Sequence, residues 1–190
     1  MISSWILKLM GWKIKGGFDK DIRRSVLVIA PHTSNWDFVI GRLVFNVLRL
    51  NVRFLIKKEA FVFPLGSLLR HWGGIPVERH KKTNLVDQVA AHFKNGNELI
   101  IAITPEGTRS RVKHWKKGFY YIAKKADVPI VLGYLDYAKK EVGLGPVIKP
   151  GGDYQQDAHI MKTFYQNKTA KHPDQFNLTA ITGSTKSNKS

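Results

Sequence analysis

The chain alternates short β-branched runs with stretches of helical spacing, and that alternation constrains its fold most. Residues 25–30 (SVLVIA), 99–104 (LIIAIT) and 130–136 (IVLGYLD) are too short for ordinary helices and too continuously apolar for one-sided strands. They predict strands buried on both faces, with 52–57 (VRFLIK) as a further strand. Between them, residues 37–50 place Phe38, Val39, Leu43, Val47 and Leu48 at helical intervals. Residues 63–72, 85–94 and 116–126 also predict helices, the first closed by Gly73-Gly74 and the second stopped at Gly96. Pro76 makes 75–77 a brief extended piece, and 141–148 is a Gly-broken extended segment. Strands alternating with helices imply an α/β domain with a mixed, largely parallel sheet flanked by helices.

At 190 residues the chain holds one domain with a full core, and 43% hydrophobic with 24% charged residues is ordinary globular chemistry. The expected organisation is an N-terminal amphipathic segment (1–24), a core (25–150), a C-terminal helix and extension (151–181) capped by Asp153, and a disordered polar tail (182–190). Cysteine is absent, which removes disulfides, thiolate metal sites and a cysteine nucleophile. Thirty-one Lys and Arg against 14 Asp and Glu leave a net charge of +17, so an anionic partner is expected.

The longest run free of formal charge is the twelve residues 25–36, well short of the roughly 20 a membrane-spanning helix needs. Lys8 interrupts the N-terminal apolar run, which does not read as a secretory signal. Residues 5–15 (WILKLMGWKIK) suit an interfacial helix, with Trp5 and Trp12 among lysines. The expected location is therefore cytoplasmic, peripheral on the cytoplasmic face of a membrane.

Three blocks carry chemistry. In the first, His32 and Asp37 follow Pro31 between a strand and a helix. Five residues apart on one helix they would point roughly 140° apart. They meet if His32 lies in the turn before the helix, with Thr33 or Ser34 as N-cap and Asp37 in the first turn. Asp37 then fixes the imidazole tautomer, leaving the other ring nitrogen to take a proton from a hydroxyl. The second block is residues 73–79 (GGIPVER). In the third, Glu106-Gly107-Thr108-Arg109-Ser110 follows the strongest strand, setting a carboxylate, an amide, a hydroxyl and a guanidinium at a sheet edge where α/β proteins bind ligands.

In this order, with a Val-Pro-Ile-Val segment at 128–131, the blocks resemble the glycerolipid acyltransferase family that acylates lysophosphatidic acid and related lysolipids. Glu78 stands where that family often has Asp, and Leu132-Gly133 replaces a second proline. The resemblance implies His32 as general base and Asp37 as its orienting partner. It also implies Arg79 and Arg109 as phosphate anchors, and Glu106 as the residue positioning Arg109 or the acceptor. Gly107 is expected to offer its amide to the oxyanion, Thr108 belongs to the same substrate loop, and Lys57 adds positive potential. The partners implied are an acyl-CoA or acyl-carrier-protein thioester, a lysolipid acceptor and an anionic membrane surface. No cofactor is implied, and the histidines lack metal-like spacing. The competing reading is a basic, non-catalytic module binding nucleic acid or a lipid surface. The charges are scattered and no nucleic-acid-binding signature is present, so nucleic acid is not expected.

Overall fold

The computed structural model describes residues 2–16, 22–78, 82–95 and 98–183. Seven strands form one sheet in the order β1-β7-β6-β2-β5-β3-β4. They are β1 (Lys13–Lys15), β2 (Arg24–Ile29), β3 (Val52–Lys57), β4 (Gly74–Val77), β5 (Leu99–Ile103), β6 (Ile130–Asp136) and β7 (Glu141–Ile148). The five central and right-hand strands run parallel, β7 returns antiparallel to β6, and β1 runs parallel to β7. This is the mixed, largely parallel α/β architecture expected from the alternating runs.

Period-two alternation on a strand buried on both sides feeds two cores. In β2, Val26 and Val28 face one core with Ile130, Leu132 and Phe93, while Leu27 faces the other with Phe45, Val52 and Val131. Helices α4 (Lys82–His92), α5 (Gly118–Ala126) and α6 (Tyr154–Tyr165) cover the first face. The second is covered by α1 (Ile2–Leu9), α2 (Trp36–Val47) and α3 (Leu65–His71). Phe38 and Phe45 of α2 pack against Phe54, and the α3 segment approaches Ile56 of the same strand face around Gly74. This division follows from handedness. Crossovers toward β4 lie on one side of the sheet, and those returning toward β6 lie on the other.

Residues 2–15 do more than lie along the domain. Leu7 and Trp12 are buried with Ile40, Val44 and Leu135, and the lysine-rich β1 is an edge strand on β7. Gly143 permits that pairing, since a Cβ there would collide with the Lys15 carbonyl. The C-terminal helix opens on Asp153, whose Oδ1 accepts from the Gln155 amide at 3.0 Å. Beyond it, residues 166–181 run back over the carboxyl edge of the sheet. Among the described residues, no helix is long and apolar enough to cross a membrane. Residues 184–190 of the expected tail lie outside the described residues.

Candidate active site

The loops after β2, β5 and β6 leave three adjacent strands at the same sheet edge, and there His32, Glu106 and Tyr137 converge. His32 sits in the turn before α2. Its Nδ1 lies 3.1 Å from Asp37 Oδ2. The helix begins at Trp36 with Asn35 as N-cap, which corrects the expectation of Thr33 or Ser34. Ser34 instead accepts the Trp36 amide on its hydroxyl at 3.2 Å. The Asp37 carboxylate reaches back, Oδ2 accepting from the Thr33 and Ser34 amides, each at 3.0 Å. A carboxylate in the first helical turn thus folds the preceding turn around itself and brings the imidazole within reach.

Oδ1 of Asp37 has its own donor, the Tyr137 hydroxyl at 2.5 Å. Tyr137 is held edge-on against Trp12, so the N-terminal segment supports this contact. Burial alone would push the Asp37 carboxyl up. The bonds from His32, Tyr137 and the Ser34 amide outweigh it and hold the group below its ordinary value. Burial, and then the bond to Asp37, push the Tyr137 phenol far above its ordinary value, so it stays a donor. An ionised Asp37 bonded at Nδ1 leaves His32 Nε2 as the lone-pair nitrogen, and the side chain is 13% exposed.

Glu106 is 2% exposed, and its Oε1 accepts the His32 amide at 3.0 Å. It therefore braces the histidine turn. Its carboxyl turns inward, bonded to the His32 amide rather than to Arg109, and Oε2 finds no partner among the described residues. Burial raises the group to about 8; the His32 amide pulls the other way, and the Asp37 charge adds to the rise. The folded protein thus binds this proton more tightly than the unfolded chain, so stability from Glu106 falls as pH climbs from about 4.5 to about 8. Glu106→Gln, a neutral isostere that still accepts the His32 amide, should gain melting temperature relative to wild type across that interval. Melts at its two ends check this, and parallel pH slopes would count against it.

The Gly107 amide is not free for an oxyanion. It donates to Thr104 O at 3.0 Å in a turn whose φ of +69° suits glycine. The Thr108 hydroxyl accepts from the Ser110 amide at 3.3 Å. The Thr108 and Arg109 amides donate to no acceptor among the described residues. Arg109 is exposed on the rim, and Lys57 is exposed at the end of β3 on the same sheet edge. Arg79 lies outside the described residues.

Sequence reasoning missed the strap formed by residues 166–181. The His172 amide donates to Thr33 Oγ1 at 3.1 Å, and Arg111 donates to the Asp174 and Phe176 carbonyls at 3.0 and 3.2 Å. Gln175 faces two carbonyls, so its amide nitrogen points at them, donating to Arg109 O at 2.6 Å and Thr33 O at 3.3 Å. One side chain thereby ties the histidine turn to the arginine loop. No short motif marks it; a polar residue in an irregular segment carries no periodic signal.

One helical turn below Asp37, Gly41 lines a small apolar cleft with Ile29, Val44, Phe45, Leu135 and Leu144. The cleft lies beside α2 over β2, β6 and β7, while Arg109 and Lys57 follow β5 and β3 on the other side of β2. The profile of the acyltransferase family matches residues 15–132, which contain His32, Asp37 and Glu106. The chain belongs to the acyltransferase family. The acyltransferase shares its fold with the crystal structure of the 1-acyl-sn-glycerophosphate (LPA) acyltransferase PlsC from Thermotoga maritima. That match has a TM-score of 0.57 at 16% identity and covers 87% of this chain and 75% of that one. No curated protein matches the sequence.

Proposed function

We propose that this acyltransferase moves a fatty acyl group from an acyl-CoA or acyl-carrier-protein thioester to the hydroxyl of a lysolipid, lysophosphatidic acid or a close relative, at a membrane surface. The observation that carries the reading is the His32–Asp37 pair at the carboxyl edge of the sheet, with no partner for Nε2 among the described residues. Nε2 takes the acceptor hydroxyl proton as the oxygen bonds to the thioester carbonyl carbon. The tetrahedral intermediate then expels the thiol: the C–S bond breaks, and the sulfur leaves with the proton held by His32. Asp37 balances the imidazolium in between. No covalent enzyme intermediate is needed, because positioning plus a base suffices. With the Gly107 amide committed to its turn, the Thr108 and Arg109 amides are the loop donors left for the developing oxyanion.

The apolar lining of the cleft beside α2 matches the chemistry of an acyl chain. Arg109 suits a phosphate, and a chain of charge +17 is drawn to the anionic cytoplasmic leaflet. The test is thiol release by the purified protein with acyl-CoA and with acyl-carrier protein against lysolipids with and without phosphate. No release with any acceptor overturns the reading. Arg109→Ala should raise KM for phosphate-bearing acceptors roughly ten- to hundredfold, the worth of a charge-assisted hydrogen-bond pair, and leave phosphate-free acceptors near wild type. Equal losses on both classes would remove the phosphate role.

A further inference from the structure

Scattered apolar side chains on a surface are ordinary, whereas a layer of them is not. Among the described residues, fifteen large hydrophobic side chains are exposed, and twelve belong to the elements that cover one side of the sheet. Four belong to α1, three to α2 and five to residues 62–72: Val62, Phe63, Leu65, Leu68 and Trp72. All three elements cover the same face of the sheet. The opposite helices contribute only Tyr121 and Ile160 to this set.

The 61–72 segment is constructed to present this surface. It follows β3, so it starts at the sheet edge that carries His32 and Glu106. The Gly66 amide donates to Val62 O at 2.7 Å, and a Cβ on Gly66 would stand 2.7 Å from Phe61 O, so the turn is tight. Phe61 is turned inward beneath the Arg70 guanidinium, 5.2 Å from its ring. Phe63 is held outward and is 93% exposed. From Ala60 to Val77 the sequence has no acidic residue, while Lys57 precedes the segment and Arg70 and His71 lie within it. Outward Phe, Leu and Trp among cations match the chemistry of a headgroup layer. A second copy of a chain with charge +17 is repelled from such a surface, and an anionic bilayer is attracted.

We propose that residues 61–72 form an interfacial anchor that, with α1, seats the protein on an anionic lipid bilayer and holds the His32 edge of the sheet against the leaflet. This rests on the reading of the chain as a lysolipid acyltransferase at a membrane surface, and its test is separable from that reading. The full chain, Phe63→Asp and Ile160→Asp are sedimented with vesicles of phosphatidylcholine containing one part in three phosphatidylglycerol. The two variants carry the same charge change on opposite faces, both at exposed positions whose substitution leaves the core intact. Phe63→Asp should partition roughly ten- to hundredfold more weakly than wild type, and Ile160→Asp within about threefold of it. Turnover on a short-chain acceptor kept monomeric in solution should be the same for all three.

Equal partitioning of the two variants overturns the anchor, whatever the enzyme assay reads. So does a wild-type dimer that Phe63→Asp disperses while wild type ignores the vesicles, since the face then serves a second copy. Vesicle binding that depends on Phe63, with no turnover on any lysolipid, would retain the anchor and end the functional reading instead.

Discussion

His32→Ala should lower turnover about 10²- to 10⁴-fold, the range a positioned general base supplies, with the donor KM close to wild type. The substitution removes Nε2 without touching the cleft or the arginine rim, so donor and acceptor still bind. In the proposed mechanism, what is lost is the group that takes the hydroxyl proton as the oxygen attacks. A residual rate is expected, because holding thioester and hydroxyl together lowers the barrier without a base. The fold should not suffer. His32 holds Glu106 through its backbone amide, which alanine retains, and the side chain's hydrogen bond is the one at Nδ1. The measurement is thiol release at saturating donor, with melting temperature recorded beside it. Equal turnover in the two proteins would assign the proton to another group. A lost turnover with a collapsed melting temperature would show that the histidine acts by supporting the fold.

The sheet is legible in the sequence because doubly buried strands need nearly continuous apolar side chains: 99–103 is Leu, Ile and Ala throughout, and 130–135 carries no charge. Lys13–Lys15 is not legible: an edge strand of Lys-Ile-Lys has one buried side and no length. Asp37 can be paired with His32 on paper because the two lie within one turn of chain. Tyr137 cannot be paired with Asp37, since they are 100 residues apart and meet only because β6 ends beside β2. Gln175 is hidden for the same reason. The motif at 106–109 shows which groups reach the sheet edge but not which way each turns. Glu106 faces inward to the His32 amide and Gly107 spends its N–H on a turn, and both outcomes depend on neighbours contributed by distant parts of the chain. The apolar layer is likewise divided among three segments, each ordinary when read alone.

Asp37→Ala should cost both turnover and stability, and the contrast with His32→Ala separates the two roles. The carboxylate accepts from the Thr33 and Ser34 amides and from Tyr137 as well as facing Nδ1. Alanine leaves those donors without an acceptor in a site where Asp37 is 4% exposed. At about 1–3 kcal/mol for each buried group left unpaired, partly relieved by water, the loss should reach roughly 3 kcal/mol. For a chain of this size that lowers the melting temperature by about 6–12 °C. Because the Asp37 carboxyl sits below its ordinary value, its contribution is complete above the usual carboxylate range and fades only as pH falls through the depressed value. The wild-type advantage over Asp37→Ala should therefore persist at neutral pH and shrink only in strong acid. Asp37→Asn isolates the charge. Its carbonyl oxygen can still accept from the turn amides, and its amide nitrogen can donate to Tyr137 Oη. The fold should then hold within a few degrees, while turnover falls about 10²- to 10⁴-fold because nothing balances the imidazolium. An asparagine variant that melts like wild type and turns over like wild type would show that Asp37 shapes the turn and takes no part in moving the proton.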